Sequence, residues 1–517
     1  MALQINVLDY LEYSAARFPN KPSFCDENCT ITFEELMQDA KAVGSYLAVR
    51  YAHTVRRPVA VLVDRTAISV TAFMGALYSG NFYVPIDVDM PAQRASAILQ
   101  KLSPLAILYS EKDATFAMSL SFPERCICIE EATKTEINKE LLNHIRSGMI
   151  DQDPVYVMFT SGSTGVPKGI VITHRGVIDL TEWLTDTFSF TEADVLGNQT
   201  PFYFDASVKD IYLTLKCGLT THILPKKLFM FPIKLIDELN NNKVTAILWA
   251  TSAINLVANS RVLTKKRPES IQKVFFAGEA MSGKILNLWK TSIPEAMYVN
   301  LYGPTEITVD CSYYIVDRDF ADDEQVPIGG ACRNMELLLL DENLQPVKKG
   351  EIGEICVRGS GVSPGYYNEK EKTTRAFMQN PANPYYRDII YRTGDLARHN
   401  EWGELVFSSR KDNQIKHMGN RIELGEIETA ANALESVEAA ICFYDTEKAK
   451  IVMVFQSAEA DNTVILKSLS DKLPKYMFPN ILQRIEEMPY NRNGKIDRGK
   501  LKEQYFNGKL ELYRPTE

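Results

Sequence analysis

A run of small residues followed by a lysine is the segment of the sequence best suited to chemistry. Residues 158–169 read MFTSGSTGVPKG, so that each position from 160 to 165 is glycine, serine or threonine. Glycines let the backbone approach an anion closely, while hydroxyl groups, backbone amides and a lysine donate hydrogen bonds to it. A nucleotide triphosphate is the natural candidate for this anion. The residues expected to contact it are Thr160, Ser161, Gly162, Ser163, Thr164, Gly165 and Lys168.

The elements around this loop are those expected at a phosphate site. The run VYVMF at 155–159 predicts a buried strand, and helical periodicity begins only at His174. The loop does not match the Walker pattern GxxxxGK[ST], because counting from Gly162 places Pro167 where glycine is needed, and Gly169 follows the lysine. The P-loop NTPase class is therefore excluded. Taken alone, the loop composition is equally compatible with an exposed surface loop.

Strands and helices alternate along most of the chain. Short apolar runs such as VAVLV at 59–63 and KVFFAG at 273–278 are separated by segments with helical periodicity, which is the signature of parallel α/β sheets. Further along, strands and turns dominate. We therefore expect an α/β fold in which a large N-terminal domain, 1–411, holds two mostly parallel sheets and a smaller β-rich subdomain. A small α+β domain is expected at 412–517.

Composition narrows the class of protein. The chain has 517 residues with 57 basic and 66 acidic side chains, a formal net charge of −9 and no long basic run, which argues against nucleic acid as a partner. Nine cysteines are scattered without a C-x2-C pair, so neither a zinc site nor a disulfide framework is indicated. Acidic residues interrupt the first apolar stretch, and no later apolar run approaches the roughly 18 residues of a membrane span. These patterns predict a cytoplasmic protein without a membrane span.

Four further segments change the interpretation of the loop. They read NLYGPTE at 300–306, YRTGDLAR at 391–398, RKDNQIKHMGNRIELGEIE at 410–428 and NRNGKIDR at 491–498. Together with the loop, and in this order, they resemble the adenylate-forming superfamily, specifically the amino-acid adenylation enzymes of nonribosomal peptide synthesis and the D-alanine–carrier protein ligases. The resemblance extends from the amino-terminal helix to the final GKI segment. It implies that ATP and Mg²⁺ are used and that the small C-terminal domain is mobile.

The resemblance also implies a nucleotide site at the carboxyl ends of parallel strands. Asp395 resembles the residue that accepts both ribose hydroxyls, and Arg410 provides a second nucleotide contact. In the NLYGPTE segment, Tyr302 is expected to stack on adenine and Asn300 to hydrogen-bond its edge, beside Gly303.

The expected reaction needs positive charge more than it needs acid–base groups. Attack of a carboxylate on the α-phosphorus of ATP brings negative oxygens together, so no acid–base triad is required. Thr305 can donate to a phosphate, and Glu306 supplies a hard oxygen ligand suited to Mg²⁺. By resemblance, Lys495 is the mobile catalytic cation and Asp412 is the hinge of the small domain. Without the resemblance, either residue would be interpreted as an ordinary surface charge.

The segment PFYFDASVKDIY at 201–212 indicates the class of substrate. Asp205 lies there in an aromatic and apolar setting, where an unpaired carboxylate is costly and a cationic partner would remove the cost. In amino-acid-adenylating relatives the matching aspartate binds the α-ammonium group, and activators of fatty or aryl acids generally lack it. The alternative is an aspartate satisfied by backbone amides. The sequence therefore favours an α-amino acid.

The wall of the amino-acid pocket follows from the same resemblance. Phe275 and Leu301 reduce its volume and suggest a small side chain. Asp310 leaves two alternatives open: if it is unpaired, serine or a cationic amino acid is favoured, and if Lys209 neutralises it, a small neutral amino acid is favoured. The complete set of expected wall residues is Ala206, Lys209, Ser252, Phe275, Ala277, Gly278, Leu301, Val309 and Asp310.

The leading hypothesis is an amino acid–carrier protein ligase. ATP and the amino acid form aminoacyl-AMP and pyrophosphate, and the phosphopantetheine thiol of a carrier protein then takes the aminoacyl group. Nothing like a carrier-domain serine motif follows the GKI segment, so the carrier is expected to be a separate protein. An acyl-CoA synthetase is the first alternative, opposed by Asp205. A silent nucleotide-binding regulatory protein is the second, opposed by Lys168, Glu306, Asp395 and Lys495.

Overall fold

The computed structural model describes residues 4–161, 167–411, 414–457, 462–489 and 496–510. Several residues predicted above to act in the site lie outside the described residues, namely Gly162, Ser163, Thr164, Gly165, Asp412 and Lys495. Contacts divide the chain into two compact units. The first comprises Met1–Val88, Leu99–Phe159 and Gly169–Lys411, and the second comprises Asp89–Ile98, Thr160–Lys168 and Asp412–Glu517.

Helices and strands alternate from the start of the described chain. The first elements are α1 (Leu8–Arg17), β1 (Pro22–Cys25), β2 (Thr30–Thr32), α2 (Phe33–Arg50), β3 (Pro58–Val63), α3 (Ala67–Tyr78), β4 (Phe82–Asp87), α4 (Ala92–Leu102), β5 (Ala106–Tyr109), α5 (Ala114–Met118), β6 (Cys126–Cys128), α6 (Ile129–Ala132) and α7 (Lys139–Ser147). Local sequence fixes the start of α2, because Thr32 and Glu35 form a capping box in which each side chain accepts a hydrogen bond from the other's backbone amide.

The same alternation continues through the middle of the chain. The elements are β7 (Pro154–Thr160), β8 (Lys168–Thr173), α8 (His174–Phe188), β9 (Val195–Asn198), α9 (Ser207–Cys217), β10 (Thr220–Ile223), α10 (Pro232–Asn241), β11 (Ala246–Ala250), α11 (Thr251–Asn259), β12 (Lys273–Ala277), α12 (Gly283–Ser292), β13 (Met297–Tyr302) and β14 (Ser312–Ile315). The predicted helix does begin at His174, where Thr173 provides the cap. Strand β8, which precedes it, was not predicted.

Strands dominate the remaining third, as the sequence predicts. They and the last helices are β15 (Gly330–Ala331), β16 (Met335–Leu340), β17 (Gly353–Gly359), β18 (Gly365–Tyr366), α13 (Lys370–Ala376), β19 (Phe377–Gln379), β20 (Ile389–His399), β21 (Leu405–Arg410), β22 (Gln414–His417), β23 (Asn420–Glu423), α14 (Leu424–Asn432), β24 (Ala439–Asp445), β25 (Lys450–Gln456), α15 (Asn462–Ser470), β26 (Ile481–Ile485) and α16 (Arg498–Phe506).

Two large sheets organise most of the chain, and both are mostly parallel. One has nine strands in the order β15-β14-β13-β12-β11-β9-β10-β1-β2, and the other has seven in the order β18-β8-β7-β4-β3-β5-β6. Antiparallel pairs stand at their edges, such as β13 with β14 and β8 with β18. A third, antiparallel sheet contains β16, β17, β20, β19 and β21. The predicted fold class is therefore confirmed.

The nine-stranded sheet is covered on both faces, which explains its continuous apolar strands. Successive side chains of a strand point to opposite faces, so Phe275 and its neighbour Phe276 enter different cores. Phe275 shares its core with Leu301, whereas Phe276 packs with Trp249 and Trp289. The face that carries Phe275 is also the face of the expected amino-acid pocket.

The second unit contains a hairpin and a three-stranded sheet. Strands β22 and β23 meet at Met418 and Gly419, whose positive φ angles of 52° and 78° are those of a two-residue turn that favours glycine. Strands β24 and β25 are antiparallel, and β26 adds to β25 in parallel. Helices α14 and α15 pack on one face of this sheet around Ile427, Met453 and Leu469.

A helix that crosses a bilayer needs about 20 consecutive, mostly apolar residues. Within the described ranges, every helix is too short or too polar to cross a membrane.

Candidate active site

Asp395 is the centre of a hydrogen-bonded group in the first unit. The hydroxyl of Tyr302 donates to Asp395 Oδ2 at 2.6 Å, and Nη1 of Arg410 donates to Oδ1 at 2.5 Å. Strand pairing accounts for the second contact, since Asp395 on β20 stands directly opposite Arg410 on β21. Tyr302 ends β13 in the nine-stranded sheet. The fold thus brings together three residues expected at the nucleotide.

This hydrogen-bonded group determines whether the hydroxyl of Tyr302 donates or accepts. Its ring is buried, and both burial and the neighbouring charge of Asp395 raise the pKa of Tyr302 well above its ordinary value. The hydroxyl therefore stays protonated and remains a donor to Asp395. Because both carboxylate oxygens of Asp395 accept hydrogen bonds, a ribose hydroxyl bound there must share an oxygen with Tyr302 or with Arg410.

The NLYGPTE segment is shaped by close packing as well as by polar contacts. Asn300 is buried and donates through Nδ2 to the carbonyl of Pro327 at 2.8 Å. A Cβ atom at Gly303 would lie 2.3 Å from the carbonyl oxygen of Val309, so only glycine fits there. Gly303 therefore lets the chain pass beside the segment that carries Val309 and Asp310.

Glu306 is a fully buried carboxylate. Its Oε1 accepts a hydrogen bond from the hydroxyl of Tyr366 at 3.0 Å, and its carbonyl accepts one from the amide of Ser363 at 2.9 Å. Carboxylate oxygen is the ligand type that Mg²⁺ prefers, and Mg²⁺ is usually held by one or two carboxylates together with substrate phosphates. The chemistry of Glu306 therefore fits the expected metal. Tyr366 was not predicted, because 60 residues separate it from its partner.

Asp205 lies just before α9 and faces several charged groups. Burial raises the pKa of Asp205 above its ordinary value, and the carboxylates of Asp310 and Glu306 raise it further. The hydrogen bond from Thr305 and the positive charge of Lys209 act in the opposite direction without cancelling the effect. A cation placed against Asp205 would favour its charged form.

Tyr156 is a second group near Asp205 that sequence reasoning missed. Its side chain is fully buried on β7, and among the described residues its hydroxyl has no hydrogen-bond partner. Burial raises the pKa of Tyr156 well above its ordinary value and the charge of Asp205 raises it further, which places the two groups in one electrostatic environment. The sequence signal was a phenol inside an apolar strand, where a polar atom usually has a partner.

Lys209 and Asp310 form a buried ion pair, so Asp310 is paired with the lysine that the sequence named as its possible partner. Nζ of Lys209 lies 2.9 Å from Asp310 Oδ2, and each side chain is only 2% exposed. The two charges are separated by 101 residues in the chain. Each neutralises the other, so the expected pocket wall carries no unpaired charge at these two positions.

The other expected wall residues divide into buried and partly exposed positions. Phe275 packs against Phe188 and Phe190, with ring centroids 4.9 and 5.7 Å apart. Val309 has a positive φ of 73°, which is uncommon for a β-branched residue and indicates backbone strain. Phe275, Leu301 and Val309 are buried, whereas the partly exposed positions are Ala206, Ser252, Ala277 and Gly278.

The described ends of the glycine-rich loop belong to the second unit. The hydroxyl of Ser161 donates to the carbonyl of Arg421 at 2.8 Å and accepts from the amide of Glu423 at 3.2 Å. Thr160 Oγ1 is buried and has no hydrogen-bond partner among the described residues. Lys168 begins β8 and is partly exposed. Ser161 is thus held by the β23 strand, while Thr160 retains a hydroxyl that can donate to a ligand.

Comparison with known proteins identifies the family. The family description "AMP-binding enzyme" matches residues 11–367. The chain belongs to this AMP-binding enzyme family. A similar relative is the D-alanine–D-alanyl carrier protein ligase of Bacillus licheniformis, which is 30% identical over 511 residues, covering 97% of this chain and 99% of that protein. The resemblance stated from the motifs is therefore confirmed.

Two further comparisons concern length and fold. Tyrocidine synthase 1 of Brevibacillus parabrevis is 29% identical over 496 residues, which are 95% of this AMP-binding enzyme but only 44% of the synthase. The chain thus spans less than half of that relative. The solved structure of the Vibrio cholerae adenylation domain AlmE in complex with glycyl-adenosine-5'-phosphate has the same fold, with a TM-score of 0.82 and 20% identity, covering 98% of this chain and 99% of that one.

Family membership sets the general chemistry. The AMP-binding family comprises adenylate-forming ligases, which use ATP and generally require Mg²⁺. The coarser part of the prediction, an ATP-dependent, adenylate-forming ligase, is therefore confirmed by family membership.

Proposed function

We propose that this enzyme activates a small, neutral amino acid as its adenylate and passes it to a carrier protein. The observation that carries the proposal is the pairing of Lys209 with Asp310 beside Asp205. Asp205 forms no ion pair within the described part of the chain, so an amino acid's α-ammonium group can serve as its cation. The pocket wall at Lys209 and Asp310 is neutral overall, which disfavours a charged substrate side chain.

In the first step, a carboxylate oxygen of the amino acid attacks the α-phosphorus of ATP. A new bond forms between this oxygen and phosphorus, the bond to the bridging oxygen of the β-phosphate breaks, and pyrophosphate leaves. Asp205 orients the amino acid through its ammonium group, and Thr305 donates to Asp205 or to a phosphate oxygen. Glu306 would hold Mg²⁺, which when bound offsets phosphate charge.

The remaining roles concern the nucleotide and the phosphates. Asp395 and Arg410 hold the ribose, and Tyr302, whose hydroxyl donates to Asp395, lies with Asn300 at the adenine end. Thr160, Lys168 and the small residues between them bind the phosphates. We propose that residues 412–517 act as a mobile domain hinged at Asp412, which presents Lys495 to the reacting phosphate. Movement of this domain between the two half-reactions would then admit the carrier thiol.

In the second step, the thiolate of phosphopantetheine attacks the carbonyl carbon of the adenylate. A thioester bond forms, and the bond between the carbonyl carbon and the phosphate oxygen breaks. AMP leaves with the electron pair of that bond. Similarity to the D-alanine–D-alanyl carrier protein ligase, at 30% identity over nearly the whole of both chains, supports a separate carrier protein as the acceptor. Because the reaction consumes ATP, we propose that it takes place in the cytoplasm.

Amino-acid-dependent exchange of pyrophosphate into ATP tests the proposal. Glycine, D- and L-alanine and serine should be compared with lysine and ornithine, and fatty acids with free CoA should be offered in a parallel assay. We expect exchange with one or more of the small neutral amino acids. Activity only with fatty acids and CoA would identify an acyl-CoA synthetase, and absence of any exchange would identify a silent nucleotide-binding protein. Either result contradicts the proposal.

A further inference from the structure

A buried polar cluster lies where the chain leaves β9 and approaches Asp205. It is formed by Arg65, Asn198 and Asp210, and we refer to it as the β9 cluster. Nδ2 of Asn198 donates to Asp210 Oδ2 at 2.6 Å and to the carbonyl of Thr200 at 3.1 Å. The guanidinium of Arg65 donates to the carbonyl of Gln199. The carbonyls of the first two residues after β9 are therefore held by the side chains of Arg65 and Asn198, and Asp210 in turn holds Asn198.

The position of the β9 cluster links it to the substrate residues. Asp210 is on α9, one residue after Lys209 and five after Asp205. The segment 199–206 connects Asn198 to α9 and carries Asp205 near its end. Both ends of this segment are thus tied to one another through the hydrogen bond between Asn198 and Asp210. A change in this bond would shift the segment and, with it, the carboxylate of Asp205.

The β9 cluster contains more polar atoms than its own hydrogen bonds use. Three of them are buried and have no partner among the described residues, namely Arg65 Nε, Asn198 Oδ1 and Asp210 Oδ1. Arg65 Nε is a donor, and the Asn198 and Asp210 oxygens are acceptors.

The Asp210 carboxyl of the β9 cluster is almost fully buried. Burial raises the pKa of Asp210 to about 7, against the opposing effects of the Asn198 hydrogen bond and the charges of Lys209 and Arg65. Lys209 is already paired with Asp310, so it cannot serve as a full counterion for Asp210.

We infer that Arg65, Asn198 and Asp210 are positioning residues for Asp205. They act through the segment 199–206 and do not touch the substrate. The inference rests on the proposed function, because it assumes that Asp205 binds the amino acid. It extends the set of residues that control amino-acid affinity to a site outside the pocket wall.

Kinetics of the full-length enzyme test the positioning role. We expect Asp210→Ala to raise the KM for the amino acid about tenfold, the cost of a lost hydrogen bond to a charged group. The KM for ATP and the kcat of pyrophosphate exchange should change little. Asp210→Asn, which retains an oxygen acceptor for Asn198, should restore most of the amino-acid affinity. Should Asp210→Ala fail to fold, Arg65→Met, at a partly exposed side chain, is expected to raise the same KM.

Asp194→Ala is the matched control. Asp194 is also a buried carboxylate and precedes β9 at its opposite end, where it pairs with Lys273 at 2.9 Å. Its removal should lower stability without a selective rise in the amino-acid KM. If the Asp210 or Arg65 variant behaves in the same way, the cluster is merely structural and the positioning role is overturned.

A wild-type enzyme without amino-acid-dependent exchange would overturn the proposed function and the positioning role together. Normal wild-type exchange with an unchanged KM in the variants would overturn the positioning role alone.

Discussion

Nζ of Lys209 on α9 lies 2.9 Å from Oδ2 of Asp310, and both side chains are almost fully buried. Lys209 lies on α9 and Asp310 lies between β13 and β14, so the pair joins two separate parts of the first unit. Two buried charges of this kind contribute little net stability together, but removal of one leaves the other without compensation. The pair therefore affects both the stability of the first unit and the character of the expected pocket.

We predict that Lys209→Met lowers the free energy of unfolding by about 3 kcal/mol or more, because Asp310 then remains as a buried, unpaired charge. Urea denaturation followed by tryptophan fluorescence measures the change. The double variant Lys209→Met/Asp310→Asn should recover much of the loss. Arg267→Met is the control, since the pair of Arg267 with Glu295 is about half exposed and its loss should cost less than about 1 kcal/mol.

Asp205→Asn should raise the KM for the amino acid by about tenfold to a hundredfold, because it removes the charge that faces the ammonium group. The KM for ATP should remain within about twofold, since the nucleotide contacts lie elsewhere. Pyrophosphate exchange at varied concentrations of each substrate separates the two constants. Asp319→Asn, at a fully exposed side chain, is the control. An equal rise in both KM values would contradict the role given to Asp205.

Tyr302→Phe should raise the KM for ATP about tenfold, because Asp395 loses the donor that orients it. The KM for the amino acid should stay near the wild-type value. Tyr314→Phe is a matched control, since Tyr314 also donates to a carboxylate, that of Glu404, at 2.8 Å. If both phenylalanine variants bind ATP equally well, the Asp395 group does not hold the nucleotide.

Stability at acid pH should depend on His174. Its imidazole is fully buried, Nδ1 accepts a hydrogen bond from the amide of Val7 at 3.2 Å, and burial lowers its pKa from 6.5 to about 3. Below pH 6.5 the unfolded chain therefore takes up a proton that the folded chain does not. The free energy of unfolding therefore decreases progressively as the pH falls from 6.5 towards 3. Well above pH 6.5 this decrease is absent.

Between pH 7 and pH 5 this effect amounts to about 2 kcal/mol. Urea denaturation at the two values should show a smaller pH-dependent loss for His174→Gln than for the wild-type protein, even if the variant is less stable at both. His144→Gln, at an exposed position of α7, should retain the wild-type pH dependence. An unchanged dependence in His174→Gln would show that His174 is not the group responsible.

The sequence predicted the parallel strands well, because strands buried on both faces are continuous apolar runs. The runs at 59–63 and 273–278 correspond to β3 and β12, and the strands and turns expected further along the chain include the antiparallel pair β16 and β17. Strand β8 pairs with the preceding strand β7 and with the two-residue strand β18, nearly 200 residues further along the chain, and the sequence revealed neither pairing. Local periodicity does not report such pairings.

The motifs named the residues of the candidate site but not the contacts between them. The motifs named Asp395, Tyr302 and Arg410, whereas only the fold showed that one carboxylate accepts from both of the others. The partner of Asp310 could not be chosen from the sequence, because pairing depends on where α9 packs. Tyr366, which donates to Glu306, carried no motif at all.

Direct detection of the activated intermediate is the sharpest test of the account. The enzyme would be incubated with ATP, Mg²⁺ and an equimolar mixture of amino acids, and the adenylates would be identified by mass spectrometry. We expect the wild-type enzyme to form the adenylate of a small neutral amino acid. The Asp205→Asn variant should form it in much lower yield at the same concentrations. An adenylate of a cationic or large amino acid, or none from the wild-type enzyme, would contradict it.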